Sequence, residues 1–326
     1  MKRRRVLGFI VLAGGLLAAV TIVVWRLTTA VSPMELAISS VTQLSDGTLF
    51  AVGSRGGHDD QAVIARSNDD GAHWTVSTGP TRGLYGVSTA GTRIIASVYC
   101  LPPSIGGEPV GPSPESCLFR SDDNGSTWQD LNAGNLADPS FADSSYGWAH
   151  PQFPIGRDLF ESTDAGITWV RLGPPCPSDK PLVYRATATG YRAGYVLCFG
   201  EAAGEGQPWS LIQVRPSAPS IAVAEGNITS GQPHAGLADE FVQGFAMRPD
   251  GSGLIWTSAG LYRTDDNGHS WTPVPIDELG RGFLSGGGIL TGDDKAYLVR
   301  GGADTGIVEY MSGTVRTLVT WPLPVS

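Results

Sequence analysis

The residues of this chain best suited to chemistry recur in one eight-residue phrase that occurs four times. Its fixed positions are Ser67, Asp69, Gly71 and Trp74; Ser121, Asp123, Gly125 and Trp128; Ser162, Asp164, Gly166 and Trp169; and Thr264, Asp266, Gly268 and Trp271. An acidic loop built around glycine could hold calcium. The EF-hand pattern, however, needs an acid five residues before its glycine and a Glu six after it. Those positions hold Arg120 and Leu131 in the second copy, and Arg263 and Val274 in the fourth. The phrase therefore reads as turn chemistry. The carboxylate accepts bonds from nearby backbone N–H groups, and glycine takes φ > 0 without a Cβ penalty. No metal is expected elsewhere, because there is no Cys-x-x-Cys and the five histidines are scattered. No cofactor is expected either. The chain lacks a dinucleotide fingerprint, a phosphate loop, a His-Glu-x-x-His and a Gly-x-Ser-x-Gly, and the run Ser285 to Gly288 lacks the Lys-Ser/Thr of a phosphate loop.

The elements that position these residues are short hairpins. Three copies follow an apolar, aromatic lead-in: Leu118-Phe119-Arg120, Leu159-Phe160-Glu161 and Leu261-Tyr262-Arg263. Such a run suits a strand, and the Trp that ends each phrase opens the returning strand with a large apolar surface. The four copies resemble the Asp-box, or bacterial neuraminidase repeat, found in sialidases, sortilin-type receptors and photosystem-assembly-factor-like propellers. That resemblance implies an all-β chain, a β-propeller in which each box joins the two outer strands of a blade. It also implies a structural role for the box, away from any ligand site.

The copies begin at 67, 121, 162 and 264. Two gaps match one four-stranded blade of about 40–50 residues each, and the third is about twice that, so one blade has lost its box. The spacing divides the chain into units at 36–80, 81–134, 135–175, 176–233, 234–279 and 280–326. Six four-stranded blades are expected, with seven the alternative, and the fourth and sixth lack the box.

The resemblance to sialidases calls for a search for their site. The stretch Asp46 to Val52, then Arg55, Asp59 and Asp60, and Val63 to Ser67 all have counterparts in a sialidase first blade. There, Asp59 or Asp60 would stand at the acid/base position. The family also holds a substrate carboxylate with three arginines, the first from an Arg-Ile-Pro strand. Counting back reaches Ala37, where the text reads Glu35 to Ser40 with neither Arg nor Pro. Tyr297, Glu309 and Tyr310 occur without the context of a nucleophile pair, and Arg185, Arg192, Arg248, Arg281 and Arg300 are candidates to face a central channel.

The chain opens with Lys2, Arg3, Arg4 and Arg5, followed by 20 uncharged residues from Val6 to Trp25. That length crosses a ~30 Å hydrocarbon core as a helix, and the basic flank keeps the N-terminus inside. The expected organisation is a cytoplasmic stub at 1–5, a transmembrane anchor at 6–26, a tether at 27–35 and an extracytoplasmic propeller at 36–326. A cleaved signal segment is the alternative, and it would make the rest a secreted protein. Lys2, Arg3, Arg4, Arg5 and Arg26 are five of the 22 basic residues, and all 31 acidic ones lie beyond them, so the remainder carries about −14. That charge argues against nucleic acid as a partner. Outside the cytoplasm disulfides persist, and the pairs Cys100–Cys117 and Cys176–Cys198 each bracket one loop. The function expected is a membrane-anchored, non-catalytic binding or assembly module of the cell envelope, holding a protein or glycan at the propeller mouth. A sialidase-like glycoside hydrolase is the alternative. Monomer and oligomer both remain open.

Overall fold

Apolar runs punctuated by Gly, Asn and Asp turns fold into antiparallel meanders, four strands to a sheet and six sheets in all among the described residues. This computed structural model describes residues 36–55, 61–98, 104–105, 108–109, 116–152, 156–201, 207–227, 242–257, 260–276, 283–291, 295–301 and 304–322. Blade 1 comprises β1 (Ala37–Gln43), β2 (Leu49–Ser54), β3 (Gln61–Ser67) and β4 (Thr75–Arg82). Blade 2 uses β5 (Leu84–Ala90), β6 (Arg93–Val98), β9 (Leu118–Ser121) and β10 (Gln129–Asp130). Its excess length lies between β6 and β9, where a small hairpin of β7 (Ser104–Ile105) and β8 (Glu108–Pro109) is inserted. Blade 3 is β11 (Leu136–Phe141), β12 (Gly147–Pro151), β13 (Leu159–Ser162) and β14 (Val170–Gly173). Blade 4 is β15 (Leu182–Gly190), β16 (Ala193–Phe199), β17 (Pro208–Arg215) and β18 (Ala218–Asn227). Blade 5 is β19 (Val242–Met247), β20 (Gly253–Thr257), β21 (Leu261–Thr264) and β22 (Thr272–Val274). Blade 6 is β23 (Phe283–Thr291), β24 (Lys295–Gly301), β25 (Asp304–Met311) and β26 (Thr314–Pro322).

The first strands stand side by side around an axis, in the order β1, β5, β11, β15, β19 and β23, with β23 returning to β1. The arrangement is a six-bladed β-propeller. Second strands are packed on both faces, which is why β2 and β20 are buried along their whole length. The core is therefore a set of seams between neighbouring blades rather than one central mass, as a stacked-sheet ring requires. Blades 1 and 6 share no strand. Side chains close the ring, with the Thr305 hydroxyl donating to the Ile38 carbonyl across that seam.

Two first strands were not legible as strands in the sequence. In blade 3 the innermost strand is β11, which carries Pro139 within it. In blade 1 the innermost strand is β1, and the apolar run from Leu49 to Val52 lies in β2. Cys176 and Cys198 are joined, with Cα atoms 5.7 Å apart, tying the entry of blade 4 to its second strand. Cys117 is also disulfide-bonded. Cys100 lies outside the described residues, as do Asp59, Asp60, Arg281 and the expected cytoplasmic stub, membrane anchor and tether. Among the described residues no helix is long and apolar enough to cross a membrane.

Candidate functional site

Strand direction alternates within each blade, so the ring has two unlike ends. The turns from first to second and from third to fourth strand gather at one end, together with the four repeated phrases. Connections from second to third strand, and from blade to blade, gather at the other. The second end carries the longer and more varied connections, the usual place for recognition on a rigid scaffold.

The four repeated phrases are closed hydrogen-bonded units. In the first, the Ser67 hydroxyl donates to Asp69 Oδ1 at 2.8 Å and accepts from the Gly71 N–H at 2.9 Å. The Asp69 carboxylate accepts the His73 N–H at 2.9 Å, and the Trp74 indole N–H reaches the Gly71 carbonyl at 3.0 Å. Ser121, Asp123, Gly125 and Trp128 repeat this network, as do Ser162, Asp164, Gly166 and Trp169. Thr264, Asp266 and Gly268 do so too, but the Trp271 indole N–H has no partner among the described residues. Gly71, Gly125, Gly166 and Gly268 all have positive φ, and so does the residue before each: Asp70, Asn124, Ala165 and Asn267. The position before the Trp also bonds the carboxylate, through Thr127 and Thr168 at 2.6 Å and Ser270 at 2.6 Å. The sequence pattern left that position open, because His73, Thr127, Thr168 and Ser270 share only their capacity to donate.

These bonds depress the acids. The His73 backbone bond leads in holding Asp69 at about 2, and the Thr127 and Ser270 hydroxyl bonds lead for Asp123 and Asp266, also at about 2. At Asp164 burial opposes the shift, and the Thr168 bonds outweigh it. The ordinary value is 3.8. Between those two values the unfolded chain binds more protons than the folded one, so stability falls as pH falls. The contribution of these acids is expected to be intact above pH 5 and lost from about pH 4 toward about pH 2. Thermal melts at stepped pH check this. An Asp69→Asn/Asp123→Asn/Asp266→Asn variant with the same acid-induced drop as the parent would refute it.

Chemistry of another kind gathers in the central channel, a cavity of about 280 Å³ lined by the first strands of all six blades. Every first strand carries a register shift at a matching level. The shifts fall at Ile38/Ser40, Leu84/Gly86, Ala137/Ser140, Val183/Arg185, Val242/Gly244 and Ser285/Gly288. A bulge inserts a residue and re-aims the side chains beside it. Here the bulges bring Tyr85, Asp138 and Arg185 together. Arg185 Nη1 donates to the Gly286 carbonyl at 3.3 Å, and Tyr85 hydrogen-bonds the same guanidinium. Arg185 of blade 4 thus engages blades 2 and 6 across the channel. Burial works against its charge, and Asp138 with the Tyr85 and Tyr184 hydroxyls outweighs that.

Asp138 sits over Gly86, where a Cβ would lie 2.6 Å from its Oδ1, so a larger residue there would push the carboxylate aside. Behind it, His150 Nε2 stands 3.9 Å from Asp138 Oδ2. Burial holds the His150 imidazole below its usual range, against the opposing pull of Asp138. His150 Nε2, Ser97 Oγ and Arg185 Nε are buried polar atoms with no hydrogen-bond partner among the described residues. Arg185 lines the channel itself, and His150 and Ser97 stand on the second strands behind it.

The remaining sequence candidates are dispersed. Arg248, like Arg185, lines the channel and donates to the Thr291 carbonyl, whereas Arg192 lies away from it and pairs with Glu161 at 2.6 Å. Arg300 pairs with Asp304. Tyr297 reaches Asp70 of the first repeated phrase at 3.4 Å, Glu309 is held between Lys295 and Arg316, and Tyr310 meets Arg263. None of these three lines the channel. Among the described arginines, no three converge on one point. Asp138, His150 and Tyr85 escaped the sequence reading. The usable signal was an Asp-Pro pair inside a strand-length segment, which marks a bulge.

Comparison with protein-family models gave no match, and neither did comparison with curated proteins. Among solved structures the chain is similar to YCF48 from Cyanidioschyzon merolae, with a TM-score of 0.53 and 11% identity over 87% of this chain and 98% of that one. It is similar to the calcium-binding protein regucalcin from Agrobacterium tumefaciens, with a TM-score of 0.51 and 11% identity over 82% and 83%. It is also similar to the GH74 xyloglucanase from Xanthomonas campestris, with a TM-score of 0.50 and 15% identity over 86% of this chain. The chain spans only 46% of that enzyme's length. At these identities the likeness is one of fold, and the fold shared is the β-propeller.

Proposed function

We propose that this chain is a non-catalytic binding or assembly module, an Asp-box propeller anchored through residues 6–26 and displayed outside the cytoplasm at the cell envelope. The repeated boxes hold the ring, and a protein or glycan ligand is received at the end bearing the longer connections. One observation carries this reading: Arg185 bridges the channel, and Asp138 is the one acid among its described lining residues. Glycoside hydrolysis by the usual routes needs two carboxyl groups flanking the scissile bond. A sialidase-like variant needs converging arginines and a Tyr/Glu pair, and Tyr297 and Glu309 instead lie against the first box, engaged with Asp70, Lys295 and Arg316.

The test is turnover of a fluorogenic sialoside by the full-length chain. No release above buffer is expected. Release that disappears in the Asp59→Ala/Asp60→Ala variant would replace the binding reading with the glycosidase one.

A further inference from the structure

The boxes seal the seams between blades, and two seams have no box. Gly71 of the first box abuts Leu318 of blade 6, and Trp74 meets Trp321 edge-on at 5.7 Å. Gly125 of the second abuts Phe50 of blade 1, whose ring lies 6.4 Å from Trp128. Gly166 approaches Ile95 of blade 2, and Gly268 approaches Val223 of blade 4. Each box thus covers the blade before it. Blades 4 and 6 lack the box, so the 3/4 and 5/6 seams are uncovered. Two surface clefts occur at these same seams, one of about 390 Å³ at 3/4 and one of about 540 Å³ at 5/6.

The missing piece is an indole. Trp74, Trp128, Trp169 and Trp271 directly precede β4, β10, β14 and β22. At the same position before β18 stands Ser217, and before β26 Gly313. The 3/4 cleft keeps an apolar floor of Trp148, Leu159, Leu172, Pro174 and Val214. Beside it the outer strand β14 leaves Val170 60% and Leu172 36% exposed. Its lining also holds Arg171, Arg192 and Arg215, and no acid. Arg171 and Arg192 each engage one carboxylate, Asp158 at 2.8 Å and Glu161 at 2.6 Å. Arg215 bonds the Pro219 carbonyl and no carboxylate among the described residues. This is a cationic, apolar slot on a chain whose net charge is −9. The 5/6 cleft differs, since Asp265 and Asp266 line it beside Arg263.

We infer that the 3/4 seam is a docking groove for an acidic segment of a partner protein that presents one aromatic side chain. The aromatic ring takes the place of the absent box tryptophan. Carboxylates beside it pair with Arg215 and with the outward faces of Arg171 and Arg192, a planar match that guanidinium makes well. The groove lies on the rim, apart from the channel, and stands independently of the ligand at the mouth.

The probe is a dye-labelled acidic nonapeptide with a central tryptophan, titrated with the full-length chain by fluorescence anisotropy. Saturable binding is expected. It should weaken about tenfold or more when the tryptophan becomes alanine, when the acids become lysines, or in the Arg215→Glu variant. The Ser217→Trp variant should fill the slot from within and abolish binding; because Ser217 has a φ of 55°, its melting temperature also carries the backbone cost of a bulky residue there. Absence of saturation, equal binding of the lysine peptide, or parental affinity in both variants would overturn the assignment.

Discussion

Replacing Trp256 by alanine is expected to destabilise the propeller by ~3–5 kcal/mol, the usual range for emptying a large core site. Trp256 lies in β20, next to its last residue, and is fully buried. Its ring fills the space over Gly244 and Gly288, where added Cβ atoms would lie 2.5 and 3.3 Å away. The indole therefore joins blade 5 to blade 6 across two backbones that cannot move inward to replace it. Its N–H also donates to the Gly286 carbonyl at 3.2 Å, the acceptor that Arg185 shares. Removal leaves a void and loosens the carbonyl that anchors the channel bridge. A fall of roughly 10 °C in melting temperature is the expected size for a domain this large. Trp256→Phe should recover much of it, because the ring volume returns and only the bond is lost. A Trp256→Ala chain melting within about 2 °C of the parent would show that this seam contributes little.

The second large effect is expected from Arg185→Met. Methionine fills a similar volume without charge, leaving Asp138 facing the channel without its cation. Asp138 attracts the Arg185 charge through space, and the guanidinium's bonds to the Gly286 carbonyl and to Tyr85 are lost with it, so the expected loss is about 2–3 kcal/mol, the scale of a hydrogen bond to a charged group. Pairing the substitution with Asp138→Asn is expected to return part of that loss, the part due to the attraction between the two charges. Denaturant unfolding of both single variants and the double variant closes the cycle and isolates the coupling. Strict additivity would mean that Arg185 and Asp138 act independently, and that the bridge rests on Tyr85 and Gly286 alone.

The ring was legible in the sequence because its repeating part is local. Asp, Gly and Trp at fixed offsets specify one hairpin wherever they occur, and the distance between copies measures a blade. The doubled interval located the blade without a box, and the six sheets follow the units that the spacing marked, except that β4 runs to Arg82, past the first boundary at 80. The channel was not legible, for a physical reason. Which side chains point to the axis depends on a bulge in each first strand, and a bulge is set by pairing with the neighbouring strand. Asp138 and Pro139 look like loop residues until β12 pairs with β11 around them. Arg185 stood among five arginines that composition could not separate. The rim groove was hidden differently. The loss of two boxes was visible, but a box covers the preceding blade only in three dimensions, so its absence pointed to no surface.

The ring closes without exchanging a strand, and this has a kinetic consequence. Each sheet is made from one contiguous stretch, so all its ladder bonds can form as soon as that stretch is available, in order along the chain. Contacts between successive blades also span short distances in sequence, and these form early. A single joint must wait for the last blade. There the Thr305 hydroxyl finds the Ile38 carbonyl across 267 positions, and β23 comes to rest against β1. Until then an open arc of finished sheets stands with two unmatched faces. That arc, rather than any unfolded strand, is the species most exposed to joining a second chain.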